Sequence, residues 1–71
     1  MSNTPSLTSK EIIKILLRKG FILERTKGSH QLFFHPDSKR RVIVPMHNRD
    51  LPKGTFYSIL KQAGISKEEL T

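Results

Sequence analysis

No cysteine occurs among the 71 residues, and only six of them are acidic. The first absence rules out both a disulfide framework and a thiolate metal site. Long apolar runs are missing too. None approaches the roughly 18 residues that a membrane helix needs, and no charged-then-apolar leader precedes the first helix. The expectation is a soluble cytoplasmic chain with no membrane contact. Thirteen Lys and Arg oppose the six acids, for a formal charge of +7 and a pI near 10.3. Such an excess directs attention to a polyanionic partner, nucleic acid first and an acidic protein second. Solubility is the other use of such a charge. Hydrophobic residues make up 35% of the chain, enough for one small core. At this size a core leaves a net stability of roughly 3–5 kcal/mol. Residues 1–6 carry no periodicity and are expected to fray, leaving 7–71 as a single domain.

Thr8-Ser9-Lys10-Glu11 reads as a capping box, with Leu7 and Ile12 at the staple positions around it. Ile12, Ile13, Leu16 and Leu17 recur at helical spacing and leave Lys10, Lys14 and Arg18 for solvent. Gly20 closes this helix, expected over 8–19, and Phe21 can fold back on Leu16. The same ending recurs near the other terminus. Phe56, Ile59, Leu60 and Ala63 share a helical face, Gly64 closes it, and Ile65 can meet Leu60. Pro52 suits the first turn of this second helix, and Asp50 its positive dipole end. Ser66-Lys67-Glu68-Glu69 is a second capping box, opening one or two turns.

Three strands are predicted between the helices, at Phe21–Thr26, His30–His35 and Arg41–Val44. Lys27-Gly28-Ser29 supplies a tight turn, Pro36-Asp37-Ser38 a looser one, and Pro45 a stop. The order α-β-β-β-α predicts an α+β fold in which a three-stranded antiparallel sheet carries two helices on one face. Its other face is wet and rimmed by basic residues. Val42 and Val44 share a side, but Leu32-Phe33-Phe34 is continuous and hides the side that His30 takes.

His30 is the first candidate for chemistry, because an unperturbed imidazole both accepts and donates a proton near neutral pH. Gly28 and Ser29 before it let backbone N–H groups and a hydroxyl approach a phosphate. Arg25 and Lys27 stand on one side of the neighbouring strand by period-two parity. A base beside two cations and an anion-binding turn is what metal-free RNA cleavage requires. Spacing alone also permits a strand-end histidine with no chemistry. His35, beside Pro36, reads as a turn residue, and His47 as a candidate for substrate contact. His30 and His35 are five apart and so point to opposite faces of a regular strand. With no convincing carboxylate partner, neither a metal site nor a cofactor is expected. Lys39-Arg40-Arg41 is a solvated hairpin tip or a set of phosphate contacts, and alternation leaves only one of the two arginines for an RNA-facing surface.

Taken in order, Gly28-Ser29-His30, His35-Pro36, Val44-Pro45-Met46-His47, Gly54-Thr55 and Ile59-Leu60-Lys61-Gln62-Ala63-Gly64-Ile65 resemble the HicA-type (YcfA-like) toxins. The resemblance covers nearly the whole chain, from about Leu7 to Leu70. Phe56 stands where many relatives have Leu, a change confined to packing. What the resemblance implies is a fold like that of double-stranded-RNA-binding domains and an mRNA interferase activity. It also implies a HicB-type antitoxin as partner and no need for a metal. Carried onto this chain, it makes His30 the catalytic residue. RNA contacts are then expected from Arg25, Lys27, Gly28, Ser29, Lys39, Arg40 and His47. An acidic antitoxin is expected to cover His30 and some of the cations.

Two other classes weigh against an mRNA-cleaving enzyme. A non-catalytic RNA-binding module of the same fold would grip duplex RNA with lysines at the second helix's start. Only Lys53, then Gly54, and Lys61 two turns later stand there. A helix-turn-helix DNA binder needs a recognition helix after Gly64-Ile65-Ser66, and the segment from Lys67 to Thr71 is too short to fill a major groove.

Overall fold

The first helix begins and ends as its sequence dictates, and the second ends so. A computed structural model of the protein describes residues 7–47 and 49–70; the six N-terminal residues expected to fray lie outside that range. Helix α1 spans Ser9–Arg18. Its cap is the anticipated box: the Glu11 N–H donates to Thr8 Oγ1 at 3.2 Å, and the Thr8 N–H donates to the Glu11 carboxylate at 2.8 Å. Two of the orphan N–H groups of the first turn are thereby satisfied. At the other end Gly20 takes φ +99°. The Phe21 N–H then reaches the Leu16 carbonyl at 3.0 Å and the Gly20 N–H the Leu17 carbonyl at 3.1 Å. This is a Schellman ending. Helix α2, Lys53–Ala63, ends the same way, with Gly64 at φ +72° and the Ile65 N–H on the Leu60 carbonyl at 3.0 Å.

The start of α2 differs from expectation. Pro52 is the N-cap itself rather than a residue of the first turn, and no side chain caps this end. Asp50 is engaged earlier, in an antiparallel bridge with Thr8, and the Leu51 N–H donates to the Leu7 carbonyl at 2.8 Å. Long-range backbone pairing thus ties together the segments that lead into the two helices. Only half of the second predicted box forms, ahead of a single 3-10 turn, Lys67–Leu70. The Ser66 N–H donates to the Glu69 carboxylate at 2.8 Å, but the Glu69 N–H goes to the Ser66 carbonyl at 3.0 Å and the Ser66 hydroxyl donates to the carboxylate at 3.1 Å.

Strands β1 (Ile22–Lys27), β2 (His30–Phe34) and β3 (Arg41–Pro45) form an antiparallel meander in the order β1-β2-β3. Phe33 is the residue of the continuous apolar run that turns inward. It is buried with Val42 and Val44 against Ile12 and Leu16 of α1 and Phe56, Ile59, Leu60 and Ala63 of α2. Each of these side chains except that of Ala63 contributes about 1.5–3 kcal/mol by leaving water. Both helices therefore cover one face of the sheet, and the fold is the expected α+β arrangement of the double-stranded-RNA-binding type.

Fixing Phe33 inward fixes everything else on β2. His30, Leu32 and Phe34 must point to the uncovered face, because side chains alternate along a strand. A bulge at Glu24, between the paired positions Leu23 and Arg25, shifts the register of β1. It brings Arg25 opposite Leu32 and Lys27 opposite His30, and so onto the same open face.

Candidate active site

The site begins at the β1–β2 turn. Gly28 supplies it with φ +57°, a conformation that favours glycine, and a Cβ there would meet no atom within 4 Å. What glycine provides at this point is backbone conformation. The next residues are Ser29, exposed in the turn, and His30, exposed as the first residue of β2. β3 leaves the sheet beside them: His30 pairs with Pro45, and the Met46 N–H donates to the Ser29 carbonyl at 2.7 Å.

An open depression of about 630 Å³ lies on this face. Gly28, Ser29 and His30 form one end, Arg25 and Lys27 one flank, and Leu32 and Ile43 the floor. Among the described residues neither Arg25 nor Lys27 has a carboxylate partner. The nearby Glu24 is taken by another cation: its carboxylate accepts from Arg41 Nε at 3.2 Å. Positive charge around His30 is thus uncompensated, and an anion approaching the imidazole meets two free cations. The groups gathered here can bind a phosphate and move a proton beside it.

Other predicted residues lie elsewhere. Lys39 and Arg40 occupy the β2–β3 connection, at the far end of β2, which at about 3.3 Å per residue is ~13 Å from His30. Arg40 leans toward the helical side and donates from Nη1 to the Gln62 carbonyl of α2 at 3.3 Å. Arg41 is the arginine on the open face, stacked 4.6 Å from the centroid of the Phe34 ring. His47 is exposed just beyond β3, at the same end of the sheet as His30 but outside the depression.

His35 is wholly engaged in structure, in keeping with its reading as a turn residue. Its Nδ1 accepts the N–H groups of Asp37 and Ser38, both at 3.2 Å, so Nε2 carries the hydrogen and donates to the Lys19 carbonyl at 3.0 Å. The ring also meets Phe21 edge-on with centroids 5.0 Å apart. These contacts tie the β2–β3 turn to the end of α1.

Sequence reasoning missed Ser9. Its side chain is fully buried, donating to the Pro45 carbonyl at 2.7 Å and accepting from the His47 N–H at 3.0 Å. One hydroxyl on α1 therefore fixes the path by which β3 passes His30 and delivers His47. No periodicity marks it, because its partners are backbone groups 36 and 38 residues away. Leu32 and Ile43 carry no such mark either, although alternation places Leu32 once Phe33 is known to face inward and places Ile43 between the buried Val42 and Val44.

The model of the family described as the HicA toxin of bacterial toxin–antitoxin systems matches residues 9–65, most of the chain. The chain belongs to the HicA toxin family. The match runs from the buried serine of α1 to Ile65, just past the glycine that closes α2, and so includes every element that builds the depression. A comparison with curated proteins gave no match. As a HicA toxin the protein has a role in a toxin–antitoxin system, and an antitoxin as its partner. No helix among the described residues is long and apolar enough to cross a membrane.

Proposed function

We propose that this HicA toxin is an endoribonuclease, an mRNA interferase acting in the cytoplasm, with His30 as its general acid–base residue. The observation that carries the reading is the station of His30. It is exposed, on the uncovered sheet face, directly across from Lys27 and at the head of a depression flanked by Arg25.

The imidazole takes the proton of a ribose 2′-hydroxyl, and the resulting oxyanion attacks the adjacent phosphorus. The bond from phosphorus to the 5′-oxygen breaks, and that oxygen takes up a proton, returned by His30 or delivered through His47. Arg25, Lys27 and the turn at Gly28-Ser29 hold the charge that accumulates on the non-bridging oxygens. The products are a 2′,3′-cyclic phosphate and a 5′-hydroxyl end. Lys39, at the other end of β2, would hold a more distant phosphate, supplying affinity without sequence choice, whereas Arg40, also expected to contact RNA, is turned away toward α2. The scheme uses proton transfer and side-chain cations alone, and cleavage is expected to persist in chelator.

Neutralisation follows from the same charge distribution. A HicB-type antitoxin with an acidic docking surface would cover His30, Arg25 and Lys27, and opposite charges would make its association fast. Incubating the purified toxin with single-stranded RNA and reading the product ends tests the activity. New 5′-hydroxyl ends, suppressed by antitoxin, are the expected result. RNA binding without new ends would identify a non-catalytic RNA-binding module, and 5′-phosphate ends would contradict attack by the 2′-hydroxyl.

A further inference from the structure

The floor of the depression is apolar, and a phosphate-binding site does not need that. Leu32 is half-buried, Ile43 is 50% exposed, and the two are direct cross-strand partners on β2 and β3. Leu32 stands two residues along β2 from His30, on the same face, about 6.6 Å away. Past Leu32, Phe34 continues the row, with the Arg41 guanidinium lying over its ring. Along the central strand the order is thus imidazole, aliphatic pair, and guanidinium-capped aromatic.

A phosphate set over Leu32 and Ile43 would lose water and gain no donor, which is unfavourable. A nucleobase has the opposite needs. Its flat face is apolar and stacks on side chains, while the attached phosphates stay within reach of the cations along one flank. We propose that Leu32 and Ile43 are the seat of an unstacked nucleobase flanking the scissile phosphate, with Arg41 offering its guanidinium plane to the next base. This rests on His30 marking the scissile position. The ligand class is single-stranded RNA. In an A-form duplex the base faces are stacked on one another and only groove edges are presented, so a flat sheet face could not use this floor.

The cationic flank fits a polyanion, and the seat is continuous with that flank. Both features would also suit an acidic antitoxin laid on the sheet, and the test separates the two occupants. Leu32→Thr and Ile43→Thr keep strand-compatible, β-branched or smaller side chains at positions that are not fully buried. Their affinity is measured for a short 2′-O-methyl oligoribonucleotide, which cannot be cleaved, and for an abasic sugar–phosphate strand of equal length. Stacking is worth about 1–3 kcal/mol per base on an aromatic side chain. An aliphatic seat falls at the low end of that range, so each variant should bind the base-bearing strand about fivefold more weakly. Affinity for the abasic strand, and its salt dependence, should not change.

Unchanged affinity for the base-bearing strand would overturn the assignment. So would an equal loss on both strands, or a loss of antitoxin affinity with RNA binding intact; the last would make the floor a protein interface. Because binding is read on a strand that cannot react, failure of the catalytic reading shows separately. A wild-type protein that binds this strand through Leu32 and Ile43 yet leaves ordinary RNA uncut would refute a catalytic His30 and leave the seat standing.

Discussion

Replacing Ser9 with alanine removes one oxygen and strands two backbone groups. The Pro45 carbonyl loses its donor at 2.7 Å, and the His47 N–H its acceptor at 3.0 Å. Ser9 is 0% exposed, so water cannot easily take the place of the hydroxyl. Leaving a buried polar group unpaired costs about 1–3 kcal/mol. Both partners are only partly enclosed, which puts the total for Ser9→Ala at about 2–4 kcal/mol. The domain has roughly 3–5 kcal/mol to lose, so the variant should lie near its own unfolding midpoint. Its neighbour Thr8 carries the more visible sequence signal, yet its capping contacts are exposed. Thr8→Ala should therefore cost only about 1 kcal/mol. Urea titration of both variants, read as midpoint shifts at constant slope, measures the difference. A cost for Thr8→Ala equal to or above that for Ser9→Ala would refute the reasoning, since it would mean that the buried hydroxyl holds nothing in place.

Two further predictions concern stability. His35→Ala removes three hydrogen bonds and the edge contact with Phe21; at half-exposed positions these should sum to about 2 kcal/mol. RNA cleavage should be unaffected wherever the variant is folded, and an unchanged melting temperature would contradict the structural role. The Glu69 carboxyl is held at about 2, first by its hydrogen bond from Lys19 and then by the backbone and side chain of Ser66. Its folded value lies below the unfolded one, so its contribution is complete above the ordinary value of 4.5 and is lost as pH falls toward 2. Melting temperature followed from pH 5 down to 2 should fall less steeply in Glu69→Gln than in the wild type, and parallel curves would contradict the assignment.

The helices were legible because their signals are local. A capping box spans four residues, and Gly20 and Gly64 sit where only a left-handed residue closes a helix. The strands were legible as segments, but their sidedness was not. Leu32-Phe33-Phe34 carries no alternation, and only packing of Phe33 beneath the helices decides that His30 faces outward. Arg25 and Lys27 do share a face, as parity implied, but the bulge at Glu24 sets which face it is, and no residue signature announces that bulge. Asp50 reads as helix-dipole chemistry and is found bridging to Thr8, a contact 42 residues distant that local reasoning cannot reach. The pair Arg40 and Arg41 was correctly expected to split across the sheet. Arg40, the one expected to contact RNA, turns toward α2, where the carbonyl of Gln62 accepts from it, so the place on the open face falls to Arg41.

Proton transfer by an exposed imidazole on the open sheet face is tested by cleavage rates of wild type and His30→Ala on one single-stranded RNA. His30 is exposed at the start of β2, so the variant should retain the wild-type melting temperature and RNA affinity. Loss of a general acid–base group lowers a rate by about 10²–10⁴-fold, and a fall of that size with binding unchanged is the predicted result. A folded His30→Ala protein that cuts RNA at the wild-type rate would exclude His30 as the acid–base group.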